Sequence, residues 1–190
     1  MHFGMVTLLD RAADEARRSR NPQLFLARLS EIHPRWHMSV RQPGFLLFHW
    51  HAVRHAKSLG IIRMLNATPY TLNDFSPGGR FADANWDSDM GSLQPSKSLE
   101  DLAEYSFQIE NWHGLAHGVI ADVTNTPAMM DFERNVFLSI FWRLHGLINQ
   151  KFEEQIRSYA NSAHPTSRLR TPAAIVRHIQ NEHHEIVGRI

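Results

Sequence analysis

The sequence predicts an all-α fold, an antiparallel four-helix bundle core with peripheral helices, and three observations carry that prediction. Apolar residues recur at helical period in long segments, among them 45–65, 98–123 and 131–159. Helix-start signals stand where those and neighbouring segments need them, at Asn21-Pro22, Ser98 with Asp101, and Thr171-Pro172. No segment calls for a sheet. With 190 residues and 43% hydrophobic content, the chain suffices for one domain with a real core and is short for two, so residues 1–190 are read as one unit.

Taken in order, a first helix is expected from about Met5 to Ser19, with the charged run from Asp10 to Arg20 on a solvated face. Asn21 as cap and Pro22 in the first turn begin the second, whose buried stripe is Leu24, Phe25 and Leu29. It should stop near His33, because Pro34 disfavours helical geometry in the residue before it. After Pro43-Gly44 a long core helix runs from Phe45 to about Leu65. Residues 67–96, rich in Pro, Gly, Asn and Ser, contain no periodic stretch and read as a functional loop, a lid or a pocket wall. Ser98 and Asp101 form a capping box for a helix reaching Val123, another covers Asp131 to Tyr159, and a last one follows Pro172.

Composition excludes several functions. Twenty basic residues against 19 acidic ones leave a net charge of +1, which gives no field to gather nucleic acid or an anionic membrane. Cysteine is absent, so disulfides, thiolate ligands and cysteine nucleophiles are all excluded, and any metal must be held by nitrogen and oxygen. The N-terminus has no basic leader or small-residue cleavage site, and no apolar run is long enough to span a bilayer. The expectation is a soluble, cytoplasmic chain.

Histidine is the anomaly, with 13 residues. Random placement would put roughly one pair at the i, i+4 spacing that aligns two side chains on a helix face. Three such pairs occur: His33/His37, His51/His55 and His113/His117. The last lies inside a well-supported helix and is flanked by Trp112, Leu115, Ala116 and Val119. On the following core helix His145 stands alone amid Phe141, Trp142, Leu144 and Ile148. A pair on one helix and a single ring on a facing one make three neutral imidazoles with an open coordination position, which suits zinc and copper alike. His113, His117 and His145 are therefore the expected metal ligands.

The same stretch resembles the second metal half-site of the hemocyanin and tyrosinase superfamily, the type 3 copper proteins. The His113-x-x-x-His117 helix, followed some thirty residues later by Phe141-Trp142-Arg143-Leu144-His145 and Ile148-Asn149, is similar to the arthropod hemocyanin form. That resemblance implies a hemocyanin-type bundle with His113, His117 and His145 as ligands, and Glu104 in the place of the glutamate that holds a water in tyrosinases. Gly114 stands where tyrosinases often carry Asn, and Asn149 where the family usually has Asp. For the first half-site, Phe45-Leu46-Leu47-Phe48-His49 resembles the tyrosinase stretch Phe-Leu-Pro-Trp-His, with His37 an earlier ligand; in the hemocyanin frame, His49-Trp50-His51 and His55 are similar to that family's His-Trp-His-Trp-His run. Neither frame completes a second three-histidine set, His33 lying too near to serve as the upstream ligand.

One complete half-site beside an incomplete one implies one metal ion. The expected function is a zinc enzyme, similar to the fungal cyclopenases that convert cyclopenin to viridicatin, cleaving or rearranging a small aromatic substrate without redox change. In it Glu104 or His49 moves protons. The alternatives are a dicopper phenol or catechol oxidase of tyrosinase type, and a hemocyanin-like oxygen or metal carrier without catalysis.

Overall fold

The computed structural model describes residues 2–37, 44–164 and 171–187, with no strand among them. Eight α-helices follow one another: α1 (His2–Arg18), α2 (Pro22–His37), α3 (Gly44–Ser58), α4 (Ile61–Met64), α5 (Trp86–Met90), α6 (Leu99–Val123), α7 (Ser139–Ala163) and α8 (Pro172–Val187). The all-α expectation holds. No helix among the described residues is long and apolar enough to cross a membrane.

Helix α6 begins as its sequence dictates. The Asp101 amide donates to Ser98 Oγ at 3.1 Å and the Ser98 amide to Asp101 Oδ2 at 3.0 Å, so a reciprocal box satisfies two donors of the first turn. Its buried face carries Leu102, Ile109, Trp112, Ala116 and Ile120 at helical spacing, while Phe107 and Leu115 lie on the exposed side. Helix α7 buries Phe141, Trp142, Leu144, Ile148 and Phe152. Helix α3 packs against α1, α6 and α7, and α8 closes on α7 through Ile175, Val176 and Ile179.

The structure differs from expectation at four places. Helix α2 continues through Pro34 to His37 instead of ending at His33. A proline inside a helix removes one backbone donor, and here the burial of His33 and its tie to another segment hold the turn in place. The helix expected over 45–65 breaks at Gly60, whose φ of 75° lies in the left-handed region that favours glycine. The helix expected from Asp131 begins only at Ser139; before it stand two short 3-10 turns, Pro127–Met130 and Asn135–Phe137. Residues 67–96, expected to hold no regular element, form a packed wall that carries two 3-10 turns, Leu72–Phe75 and Ala82–Ala84, and helix α5, and it buries Tyr70, Phe75, Phe81, Ala84 and Trp86. Phe75 and Trp86 sit edge-on to Trp112, whose indole N–H donates to the Ala84 carbonyl at 3.1 Å.

That wall is fastened to α7 beside His145. The Tyr70 amide donates to the Arg143 carbonyl at 3.0 Å, Arg143 Nε donates to the Thr68 carbonyl at 3.0 Å, and the guanidinium lies 4.3 Å from the Tyr70 ring centre. The close approach requires a glycine at 146, because a Cβ there would stand 2.8 Å from Pro69 Cγ and 3.0 Å from its Cβ. Gly146→Ala should therefore lower stability by about 1–3 kcal/mol through overpacking. A urea midpoint that falls at unchanged slope would show it, and an unchanged midpoint would refute the close fit.

Candidate metal centre

Five histidines are buried together: His33 on α2, His49 on α3, His113 and His117 on α6, and His145 on α7. Their order in space follows from ring contacts. His145 stacks on His49 with centres 4.6 Å apart and planes 17° from parallel. His113 lies 4.9 Å from His145, 5.4 Å from His49 and 4.3 Å from His117, while His33 meets His49 edge-on at 5.9 Å.

Hydrogen bonding to backbone carbonyls fixes the tautomer of four of these rings. His49 Nδ1 lies 2.8 Å from the Phe45 carbonyl and His145 Nδ1 2.7 Å from the Phe141 carbonyl, each one helical turn back. His117 Nδ1 lies 2.9 Å from the Met129 carbonyl and His33 Nδ1 3.0 Å from that of Phe132, both in the 127–137 segment. A carbonyl only accepts, so each Nδ1 carries the hydrogen and each Nε2 keeps its lone pair. This is the arrangement in which histidines ligate metals through Nε2 with a carbonyl behind the ring.

The Nε2 atoms converge. Those of His113 and His145 are 3.0 Å apart, and ligand atoms of His49, His113 and His145 all lie within 4.8 Å of one another. Two imidazole nitrogens on one zinc stand about 3.3 Å apart, from bonds of about 2.0–2.1 Å at tetrahedral angles. The donor set thus fits an ion of zinc or copper type. His117 Nε2 is buried with no hydrogen-bond partner, an exposed cost that a ligand would remove.

Electrostatics point the same way. Burial lowers the His33 and His117 rings from 6.5 to about 4, and it drives His145 well below its ordinary value, with His49 and His117 adding repulsion. Neutral rings at neutral pH are ready ligands. Around them stand Phe45, 4.3 Å from His49 and 4.9 Å from His113, and Phe141, 3.9 Å from His145.

The structure thus gathers His113, His117, His145 and His49, but the trio whose ligand atoms come together is His49, His113 and His145, with His49 in the place expected for His117, and it adds His33, which sequence reasoning set aside. The signal for His33 was present in its i, i+4 pairing with His37; the side chain of His37 lies outside the described residues. His51 and His55 are not in this cluster, because they leave α3 on the face opposite His49. Glu104 is not brought to it either. It is exposed, accepts from Gln108 Nε2 at 2.7 Å and lines a surface cleft with Leu93, Pro95 and Tyr105. Nine residues of helix turn it about 180° away from His113. The acidic residue in phase with His117 is Glu110, half-buried, its carboxyl pushed upward by burial. Asn149 is buried and reaches the Trp50 carbonyl at 3.5 Å, linking the helix of His145 to the residue after His49.

In the metal-free protein these rings make stability depend on acid. The His33 and His117 rings protonate near 4 in the fold and near 6.5 when exposed, so the unfolded chain binds more protons between those values. Stability is full above pH 6.5 and falls as the pH drops towards 4, by about 3 kcal/mol per ring over that window. Urea midpoints measured at about pH 7.5 and about pH 4.5 check this, and equal midpoints would contradict it.

No protein-family model matches the chain, and neither a curated protein nor a solved structure matches it.

Proposed function

We propose that this protein is a metalloenzyme with one zinc ion held by three imidazoles, catalysing the non-redox cleavage or rearrangement of a small aromatic molecule in the manner of the cyclopenases. On this reading α2, α3, α6 and α7 are the four-helix core of a hemocyanin-type bundle. The observation that carries it is the convergence of His49, His113 and His145, one from the first half of the chain and two from the second, on a single point. A bound zinc supplies Lewis acidity, polarising a carbonyl or activating water.

The chain's own residues do the rest. Carbonyls of Phe45 and Phe141 hold the His49 and His145 rings with Nε2 inward. His117 stays neutral and presents a buried Nε2 lone pair that can accept a hydrogen bond. Phe45 and Phe141 pack on the ligand rings and keep water from them.

A dicopper centre, as an oxidase or an oxygen carrier, is the second reading, and one observation favours it. His33 stands beside His49 with its tautomer fixed, so the first half-site is fuller than the sequence alone indicates.

Protein purified without added metal should hold one zinc more per chain than His113→Ala and than His145→Ala, with no absorption in the visible or near ultraviolet. Two coppers at the site and a strong near-ultraviolet band under air would replace this reading with the second, and turnover of catechol would then separate oxidase from carrier. Retained folding and stability in both variants, with the same metal content in all three proteins, would remove this metal centre altogether.

A further inference from the structure

A second group of ligating side chains lies on the outer side of α3. His51 and His55 stand about 200° and 240° around the helix from His49, at 100° per residue, so the two sets are back to back on one helix. Helix α1 faces the outer set with Asp10, whose Oδ1 is 2.8 Å from His55 Nε2. Ligand atoms of Asp10, His51 and His55 all lie within 4.8 Å of one another. Helix α8 contributes Gln180, whose side-chain amide lies 3.3 Å from His51 Nε2. The oxygen and nitrogen of that amide exchange by a half-turn, which places an oxygen donor at the same spot.

We propose that Asp10, His51 and His55, with Gln180 as fourth donor, form a second site for a divalent transition-metal ion of zinc type, distinct from the central cluster. Two imidazoles and a carboxylate are a common donor set for such ions. The carboxylate offsets one of the ion's two charges, which the all-imidazole cluster does not. Both rings are half-buried and Asp10 is exposed, so an ion has access. Burial and the nearby Arg54 keep His51 neutral, lowering it to about 4, although Asp10 opposes the shift.

The cation facing the site from α1 is Arg17. Its guanidinium reaches Asp14 at 2.6 Å, Ser58 Oγ at 3.2 Å and His55 Nδ1 at 3.4 Å. An ion at His55 Nε2 moves the ring hydrogen to Nδ1 and releases the longest of these three contacts while the other two remain. The ion then ties α1, α3 and α8 together, which makes this site structural.

The test uses the whole chain and zinc itself. After dialysis, native protein should retain one zinc more per chain than His51→Gln/His55→Gln, and Asp10→Asn should bind that ion at least tenfold more weakly. Added zinc should raise the melting temperature of native protein but not, through this site, that of the double variant. These variants leave His113 and His145 intact, so the ion they lose is counted separately from the one lost in His113→Ala. Equal zinc in native protein and a folded double variant would overturn the proposal. Should the double variant not fold, ring resonances of His51 and His55 in native protein decide: shifts on adding zinc support the site, and their absence overturns it.

Discussion

A neutral imidazole has one donor and one acceptor, and the core of this protein buries five such rings side by side. Protonation cannot relieve the crowding, since a charged ring there would meet a dry, apolar surrounding and its neighbours' charges. The donors are instead spent on backbone. Helices α3 and α7 share a Phe-x-x-x-His unit, Phe45 to His49 and Phe141 to His145, in which the carbonyl of the phenylalanine takes the ring hydrogen and the phenyl group packs on the ring. The two units meet where His49 and His145 stack. What remains is a set of lone pairs aimed at a common space. For His117 the lone pair has no other use, a cost of about 1–3 kcal/mol unless a ligand meets it.

Much of the less regular structure follows from that need for carbonyls. His49 and His145 use the carbonyl one turn behind in their own helices, whereas His117 and His33 take theirs from the segment between α6 and α7, which has to present the Met129 and Phe132 carbonyls sideways to these rings. Residues 127–137 meet this condition. Asp131 Oδ1 accepts from the amides of Glu133 and Arg134, and its backbone carbonyl from that of Asn135, so the chain turns without using Met129 or Phe132 in a helical ladder. Asn135 Nδ2 and the Trp142 indole N–H donate to the carbonyls of Met129 and Val136, fixing the turn to itself and to α7. His33 in turn anchors α2 across the position of Pro34. A ligand-holding loop and a helix that tolerates proline are thus two ends of one hydrogen bond.

The helices were legible because their signals are local. Ser98 and Asp101 cap α6, and the period of Ile109, Trp112, Ala116 and Ile120 reports its buried face. His113, His117 and His145 were legible for the same reason, since helical phase and apolar neighbours place them inward. The failures arose where tertiary contacts override local preference. Pro34 marks a stop that the packing of His33 overrules; the apolar run after Asp131 reads as helix although its carbonyls are needed elsewhere. Residues 67–96 lack periodicity because Tyr70, Phe75, Phe81 and Trp86 are buried by turns and not by one repeating element. Glu104 was placed by distance along the chain, which says nothing of the half-turn that carries it to the outer face of α6.

Helix α3 poses the sharpest electrostatic contrast, because it carries histidines on both sides with different surroundings. Inward, His49 joins rings alone, with aromatic neighbours and no carboxylate in the metal-capable set. An ion there keeps its two positive charges, and in a medium of low polarity those charges act strongly on any bound oxygen. Outward, His51 and His55 face Asp10, so an ion is partly neutralised and its remaining positions lie near solvent and the Gln180 amide. The two metal-capable trios differ in one donor, a carboxylate in place of an imidazole, and that difference would separate their roles. An uncompensated, buried ion is suited to polarising a substrate; a compensated one between helices is suited to holding them. The same side chain, presented on opposite sides of one helix, would suit either role, because the protein around it decides whether the charge is left to act.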